Sequence, residues 1–237
     1  MGILLSDGAN IDFMVHGVFS YQLFGQTVWI TTTHVCVLIV MMVIIGFCLA
    51  ANRCMKKATD VPGTFQNIVE LIVEKLDGMS EGVMGKFAVK FRNYIGTIFI
   101  FILLSNISGL FGLRPPTADY GVTFALGIMT FVLIHYNQFK YQKVSGVIKG
   151  LCDPWPIWAP INLIGEIAVP ISLSLRLFAN VLSGVVMMAL IYGLLSKLAI
   201  IWPAALHVYF DLFSGAIQTY VFCMLTMTYI ANACETE

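Results

Sequence analysis

Long apolar runs, too many and too continuous for a water-soluble core, dominate this chain. About 20 mostly apolar residues suffice to cross a bilayer. Five stretches reach about that length or exceed it: Val28 to Ala51, Tyr94 to Leu113, Ala118 to Tyr136, Pro160 to Leu195 and Leu198 to Cys234. Of the 237 residues, 59% are hydrophobic and only 11% charged, whereas an average soluble domain carries roughly 25% charged residues. So few charges cannot cover a soluble globule, and so much apolar content excludes a disordered chain. The 13 basic and 13 acidic residues cancel, which leaves no case for nucleic-acid binding resting on bulk charge. The expectation is an all-α integral membrane protein with about five membrane-embedded helices.

Residues 1–27 read as an extracytoplasmic N-terminal segment and 28–237 as a single membrane domain. Between the first two spans, residues 64–92 place Phe65, Ile68, Val69, Ile72, Val73 and Leu76 at helical spacing among mixed charges. That pattern predicts an amphipathic helix at the cytoplasmic interface. Arg114, Pro115, Pro116 and Thr117 make a tight connection after the second span. The stretches 160–195 and 198–234 would each exceed 50 Å as one helix, against a hydrocarbon core of about 30 Å. They must tilt, bend or break, and Pro170 and Pro203 are available for bends. The simplest arrangement is a long, tilted hairpin turning near Ser196 and Lys197.

The six cysteines form no CxxC pair, so they read as small buried hydrophobes rather than metal ligands. The N-terminal MGILLSDGANIDF lacks the basic and apolar regions of a signal peptide. Its Gly2 and Ser6 fit a loose myristoylation pattern, but the topology puts this end on the wrong side of the membrane. Basic residues set that topology. Arg53, Lys56, Lys57, Lys75, Lys86, Lys90, Arg92, Lys140, Lys143 and Lys149 lie on one side, and only Arg114 and Lys197 on the other. The N-terminus is expected outside and the C-terminus in the cytoplasm. With no organellar targeting segment, a bacterial plasma membrane is the expected location.

Arg176 is the remaining basic residue, and no other charge lies between Glu166 and Lys197. An arginine at mid-membrane costs roughly 2.5–3.5 kcal/mol on insertion scales, and it cannot shed its proton. It must therefore face a protein partner or a wet cavity. Ser172, Asn180 and Ser183 share its helix face. The following helix carries a second polar seam, His207, Asp211, Ser214 and Gln218, at spacings of four, three and four. A buried Arg–Asp pair that merely glues the hairpin is one reading. A functional ion path is the favoured one, because such pairs rarely add stability and helices associate more cheaply through small residues.

Three motifs carry a family resemblance. SLSLRLFANVLSG resembles the S-L-x-L-R-L-F-x-N signature of subunit a of the F-type ATP synthase. GAIQTYVFCMLTMTYI resembles that family's C-terminal helix, and NISGLFGLRPPTADYGVTFALGI its second-to-third connection. The similarity covers roughly residues 60 to 234 in the right order. It implies the membrane stator of a rotary motor, with two offset half-channels that load and unload carboxylates on a rotor ring. Proton or sodium flow would then turn the ring. The implied partners are the ring of c-type subunits, peripheral-stalk b-type subunits and, indirectly, the soluble catalytic head. No cofactor is implied and no chemistry in this chain; ATP belongs to other subunits, since there is no Walker loop here.

By the same resemblance Arg176 is the essential stator arginine, with Asn180 and Gln218 as the polar positions beside it. Where some members carry a glutamate nine residues after the arginine, this chain has Val185. Members without it often place an acid seven residues before the glutamine, where Asp211 stands here, so Asp211 is expected to serve one half-channel, assisted by His207. Ser172 and Ser214 extend the two seams. An acid found fourteen residues before the arginine in some members is Asn162 here. Glu166 is expected either to substitute for it or to act as an interfacial anchor.

Other polar residues read more blandly: His34 and His135 as headgroup-level groups, Trp155 and Trp158 as interfacial anchors, and Asp119 as capping or lining the outer connection, where the resemblance also permits a pathway role. A secondary transporter with a central Arg–Asp site is the main alternative, although the internal repeats common in that class are missing. An intramembrane enzyme using His207 and Asp211 would lack a serine elbow or HExxH motif.

Overall fold

A computed structural model describes residues 17–23, 26–56, 63–111, 113–152, 155–194 and 202–234. Five helical stretches within them are long and apolar enough to cross a membrane, and the all-α membrane architecture stands. One addition precedes it. Strands β1 (Gly17–Leu23) and β2 (Gln26–Thr31) pair antiparallel. The β-branched and aromatic run Thr27 to Thr31 favours a strand, so helix α1 (Thr32–Met55) starts four residues after the apolar run does. Thr31 Oγ1 lies 2.7 Å from His34 Nδ1, which closes the first turn of α1. Gly2 and Ser6 lie outside the described residues.

Helix α2 (Thr64–Met84) buries Gln66, Val69, Ser80 and Met84 while Phe65, Ile68, Leu71 and Val73 stay exposed. It stops short of residue 92 because Gly85 adopts φ +51°, a left-handed conformation that glycine enters without a Cβ clash. A short 3₁₀ turn, Gly85–Phe87, leads into α3 (Ala88–Ile107). After α3 the chain passes through 3₁₀ turns at Ser108–Phe111 and Pro116–Ala118. Asp119 Oδ1 then accepts from the Gly121 amide at 3.0 Å, capping α4 (Tyr120–Cys152). Helix α4 runs well beyond Tyr136, since apolarity marks only the part in lipid and not the end of the hydrogen-bonded backbone.

Helix α5 (Ala159–Leu194) has Pro170 in its interior. The last stretch is interrupted: α6 (Trp202–His207) passes into a π-helical segment, Val208–Ser214, before α7 (Gly215–Cys234). Such π-helical turns inside α-helices are rare and concentrate at functional sites. The proposed turn near Ser196 and Lys197 lies outside the described residues.

The core forms around α7. Phe222, Cys223, Met227 and Ile230 are fully buried against Phe91, Ile95, Ile98 and Ile102 of α3, with Leu126 of α4 and Leu173 and Leu177 of α5. Helix α1 is peripheral, burying only Thr33, Cys36 and Val40 while Leu38, Met42, Val43, Ile45 and Leu49 face outward. An outward apolar face of that length suits lipid, where every backbone group of a helix is already satisfied.

Helices α4 and α5 pack most extensively, and they touch where Gly127 sits against the Pro170 carbonyl. A Cβ at Gly127 would lie 2.7 Å from that oxygen, so only glycine permits this approach. Their antiparallel register is regular: Gly127 also meets Ser174, and eight residues along α4 His135 meets Glu166, eight back along α5.

Candidate functional site

Asn180 and Ser214 tie α5 to the last helix, with Ser214 Oγ donating to Asn180 Oδ1 at 3.2 Å. Four residues further along α5, Gly184 lies against Phe210, four residues back from Ser214. Equal steps in opposite directions define an antiparallel pair. Continued one turn the other way, the same register brings Gln218 to the level of Arg176.

The two residues differ sharply in environment. Gln218 is 8% exposed, and its Nε2 is buried with no hydrogen-bond partner among the described residues. Arg176 points outward from the bundle. Among the described residues no hydrogen bond or ion pair reaches its guanidinium. From Gly165 to Ser183 the exposed residues nearest its face are small, namely Gly165, Ala168, Ser172, Ala179 and Ser183, and beyond them Met187 and Leu190 are exposed. Ser183 turns its hydroxyl back onto the Ala179 and Asn180 carbonyls at 2.6 and 3.0 Å.

Asp211 does not meet Arg176. Its Oδ2 lies 2.8 Å from His207 Nδ1, and the two side chains are 15% and 34% exposed. Asp211 sits in the middle of the π-helical segment. The wider π turn breaks the uniform phase assumed from α-helical spacing, so His207, Asp211, Ser214 and Gln218 do not form one continuous seam. His207 and Asp211 pair with each other, Ser214 reaches Asn180, and Gln218 turns into the core.

The Asp211 carboxylate rests on the backbone of the 3₁₀ turn after α3. A Cβ at Gly109 would fall 3.0 Å from Asp211 Cγ and 3.1 and 3.2 Å from its oxygens. Beside it, Asn106 of α3 accepts from Thr117 Oγ1 at 2.7 Å and donates to the Gly215 carbonyl at 3.1 Å and to Thr219 Oγ1 at 3.3 Å. Asn106, Asn180, Gly184, Phe210, Asp211 and Gly215 line a cleft of about 10 Å³, the space of one water molecule. This polar cluster lies towards the α3–α4 connection.

A second pair lies towards the α4–α5 connection. His135 Nε2 is 3.3 Å from Glu166 Oε2, with the side chains 23% and 29% exposed. In the sequence His135, beside Tyr136 and before Lys140, has the setting of a headgroup-level residue. Helix α4 continues past it, and α5 brings Glu166 alongside. Asn162 donates to the Leu151 carbonyl at 2.9 Å. No grouping of three or more His, Cys, Asp or Glu side chains able to hold a metal occurs among the described residues.

A family profile described as ATP synthase A chain matches residues 34–231. The chain belongs to that family. Among curated relatives, a sodium-ion-specific ATP synthase subunit a of Propionigenium modestum is 39% identical over 189 residues, covering 73% of this chain and 64% of the relative. The chain thus spans just under two thirds of that relative's length. The subunit a of Moorella thermoacetica is 34% identical, covering 82% of this chain and 86% of its own. The protein named ATP synthase subunit a 1 of Chlorobium luteolum is 30% identical over 227 residues, 95% of this chain and 96% of the relative. The sequence names Arg176, Asn180, Asp211 and Gln218 as candidates, but the contacts of Gly109 with Asp211, of Asn106 with Gly215 and of His135 with Glu166 are visible only in the fold. Only His135 carried a signal that could have been used, as an ionisable group inside a membrane helix.

Proposed function

We propose that this chain is the ion-translocating stator subunit of a rotary F-type ATP synthase, without catalytic chemistry of its own. It would sit in a bacterial plasma membrane, N-terminus outside and C-terminus in the cytoplasm, beside a ring of c-type rotor subunits. Peripheral-stalk b-type subunits would hold it against the soluble catalytic head. The observation that carries this reading is the outward-facing Arg176, without a hydrogen bond or ion pair among the described residues, on a stripe of small residues. Small side chains let another helix approach closely. A fixed cation there stabilises the anionic form of a passing carboxylate, which therefore releases its ion. The same charge repels cations that would otherwise cross directly.

Asp211 with His207 serves the outer half-channel, together with Ser214 and Asn180. Counting α-helical rise from Asn180, Asp211 stands about 10 Å to the outer side of Arg176. Ser172 flanks the arginine one turn to the inner side, where Glu166 belongs to the other half-channel. The transporter alternative loses its footing, because it needs a central Arg–Asp site and Asp211 pairs with His207 instead.

The test is Arg176→Ala in the whole complex. Assembly should persist, because Ala is well tolerated in a helix and no hydrogen bond or ion pair ties Arg176 to the described residues. Coupled ATP synthesis should vanish. Full synthesis by an assembled Ala variant would remove the stator reading.

A further inference from the structure

We propose that His135 and Glu166 form a single proton-exchange station for the inner half-channel, an inference that rests on the stator reading above. The hydrogen bonding of the imidazole carries the argument. His135 Nδ1 lies 3.1 Å from the Phe131 carbonyl, and a carbonyl only accepts. Nδ1 therefore holds a proton in every state of the ring. Its other nitrogen, Nε2, then faces Glu166 Oε2 at 3.3 Å. A neutral ring presents a lone pair there, and an ionised carboxylate presents another. The contact is a hydrogen bond only when one proton is shared, as imidazolium with carboxylate or as imidazole with carboxylic acid. The pair is thus a receptor for one proton.

Its placement suits the task. Glu166 is ten residues from Arg176 along α5, about 15 Å of helix rise, on the opposite side of the arginine from Asp211. The ring of His135 is steadied by Phe131, whose centroid is 4.0 Å away. Tyr136 and Lys140, the next ionisable side chains on α4, are exposed, and α5 carries no other charge before Arg176. Tight packing of α4 on α5 is already provided at Gly127 and Pro170, so the ion pair is not needed to hold the helices together.

The proton step balances simply. A rotor carboxylic acid arriving from the lipid side loses its O–H bond and becomes a carboxylate. The proton passes through water to the deprotonated pair and forms an N–H bond at Nε2, shared with Oε2. That bond then breaks towards water on the inner face, and the pair returns to neutral imidazole and carboxylate.

The test uses the whole complex in inverted membrane vesicles, with passive proton conductance measured after the soluble head is stripped. Glu166→Gln and His135→Gln should each lower conductance about tenfold or more, with the rotor ring still co-purifying. Glu166→Asp should recover most of the loss, which a packing role would not produce. Glu166→Cys should react with a membrane-impermeant thiol reagent from the inner face and not the outer, above the wild-type background. Wild-type conductance in Glu166→Gln, alongside blocked synthesis in Arg176→Ala, would overturn this proposal and leave the stator reading intact. So would labelling from the outer face, or a wild-type complex that conducts sodium and not protons. A wild-type chain that purifies without any ring would overturn the stator reading instead.

Discussion

The Asp211 carboxylate lies directly on Gly109, so close that a single methyl there would meet its Cγ at 3.0 Å. A turn in one connection thereby positions an acid in a helix about a hundred residues later. The 3₁₀ turn Ser108–Phe111 presents bare backbone, the π-helical segment turns Asp211 onto it, and His207 Nδ1 lies 2.8 Å from Asp211 Oδ2.

Asp211→Asn should slow ion flow through the assembled complex by about 100-fold, the low end of what a positioned proton-transfer group contributes. The amide keeps the size of the carboxylate, so ring co-purification should be unchanged. Passive conductance at the wild-type level would show that the outer half-channel does not use this acid.

Glycines near the site should separate by what a methyl meets. Gly109→Ala encounters the movable end of a side chain, so we expect reduced conductance with assembly retained, and a larger loss with Gly109→Val. Gly215→Ala would place Cβ 2.9 Å from Asn106 Cβ, an atom close to its backbone with little room to yield. Overpacking of that kind costs about 1–3 kcal/mol, and the variant should show lower thermal stability before any specific flux defect. Equal stability in the two alanine variants would contradict this.

Asn106→Ala should destabilise the bundle, because Asn106 is 2% exposed and links Thr117, Gly215 and Thr219. Removing it leaves the buried Thr117 hydroxyl without its acceptor, a loss of about 1–3 kcal/mol. A lowered unfolding temperature in detergent is the readout.

Much of this architecture was legible in the chain itself, and for one reason. Lipid demands about 20 apolar residues per crossing and penalises each charge left inside. Spans therefore announce themselves, and so does a lone arginine such as Arg176, without reference to any neighbour. Helix ends were less legible: α2 stops at a left-handed Gly85, and α4 outruns its apolar stretch by more than three turns. Hydropathy records solvent, not hydrogen bonding.

Pairing was decided only by the packed bundle. Spacing by four, three and four put His207, Asp211, Ser214 and Gln218 on one face, but that count assumes an unbroken α-helix, and Val208–Ser214 is π-helical. Whether Asp211 meets Arg176 or His207, and whether His135 meets lipid headgroups or Glu166, depends on the register between helices far apart in the chain. That register is set by close contacts such as Gly127 on Pro170 and Ser214 on Asn180, and no local pattern encodes it.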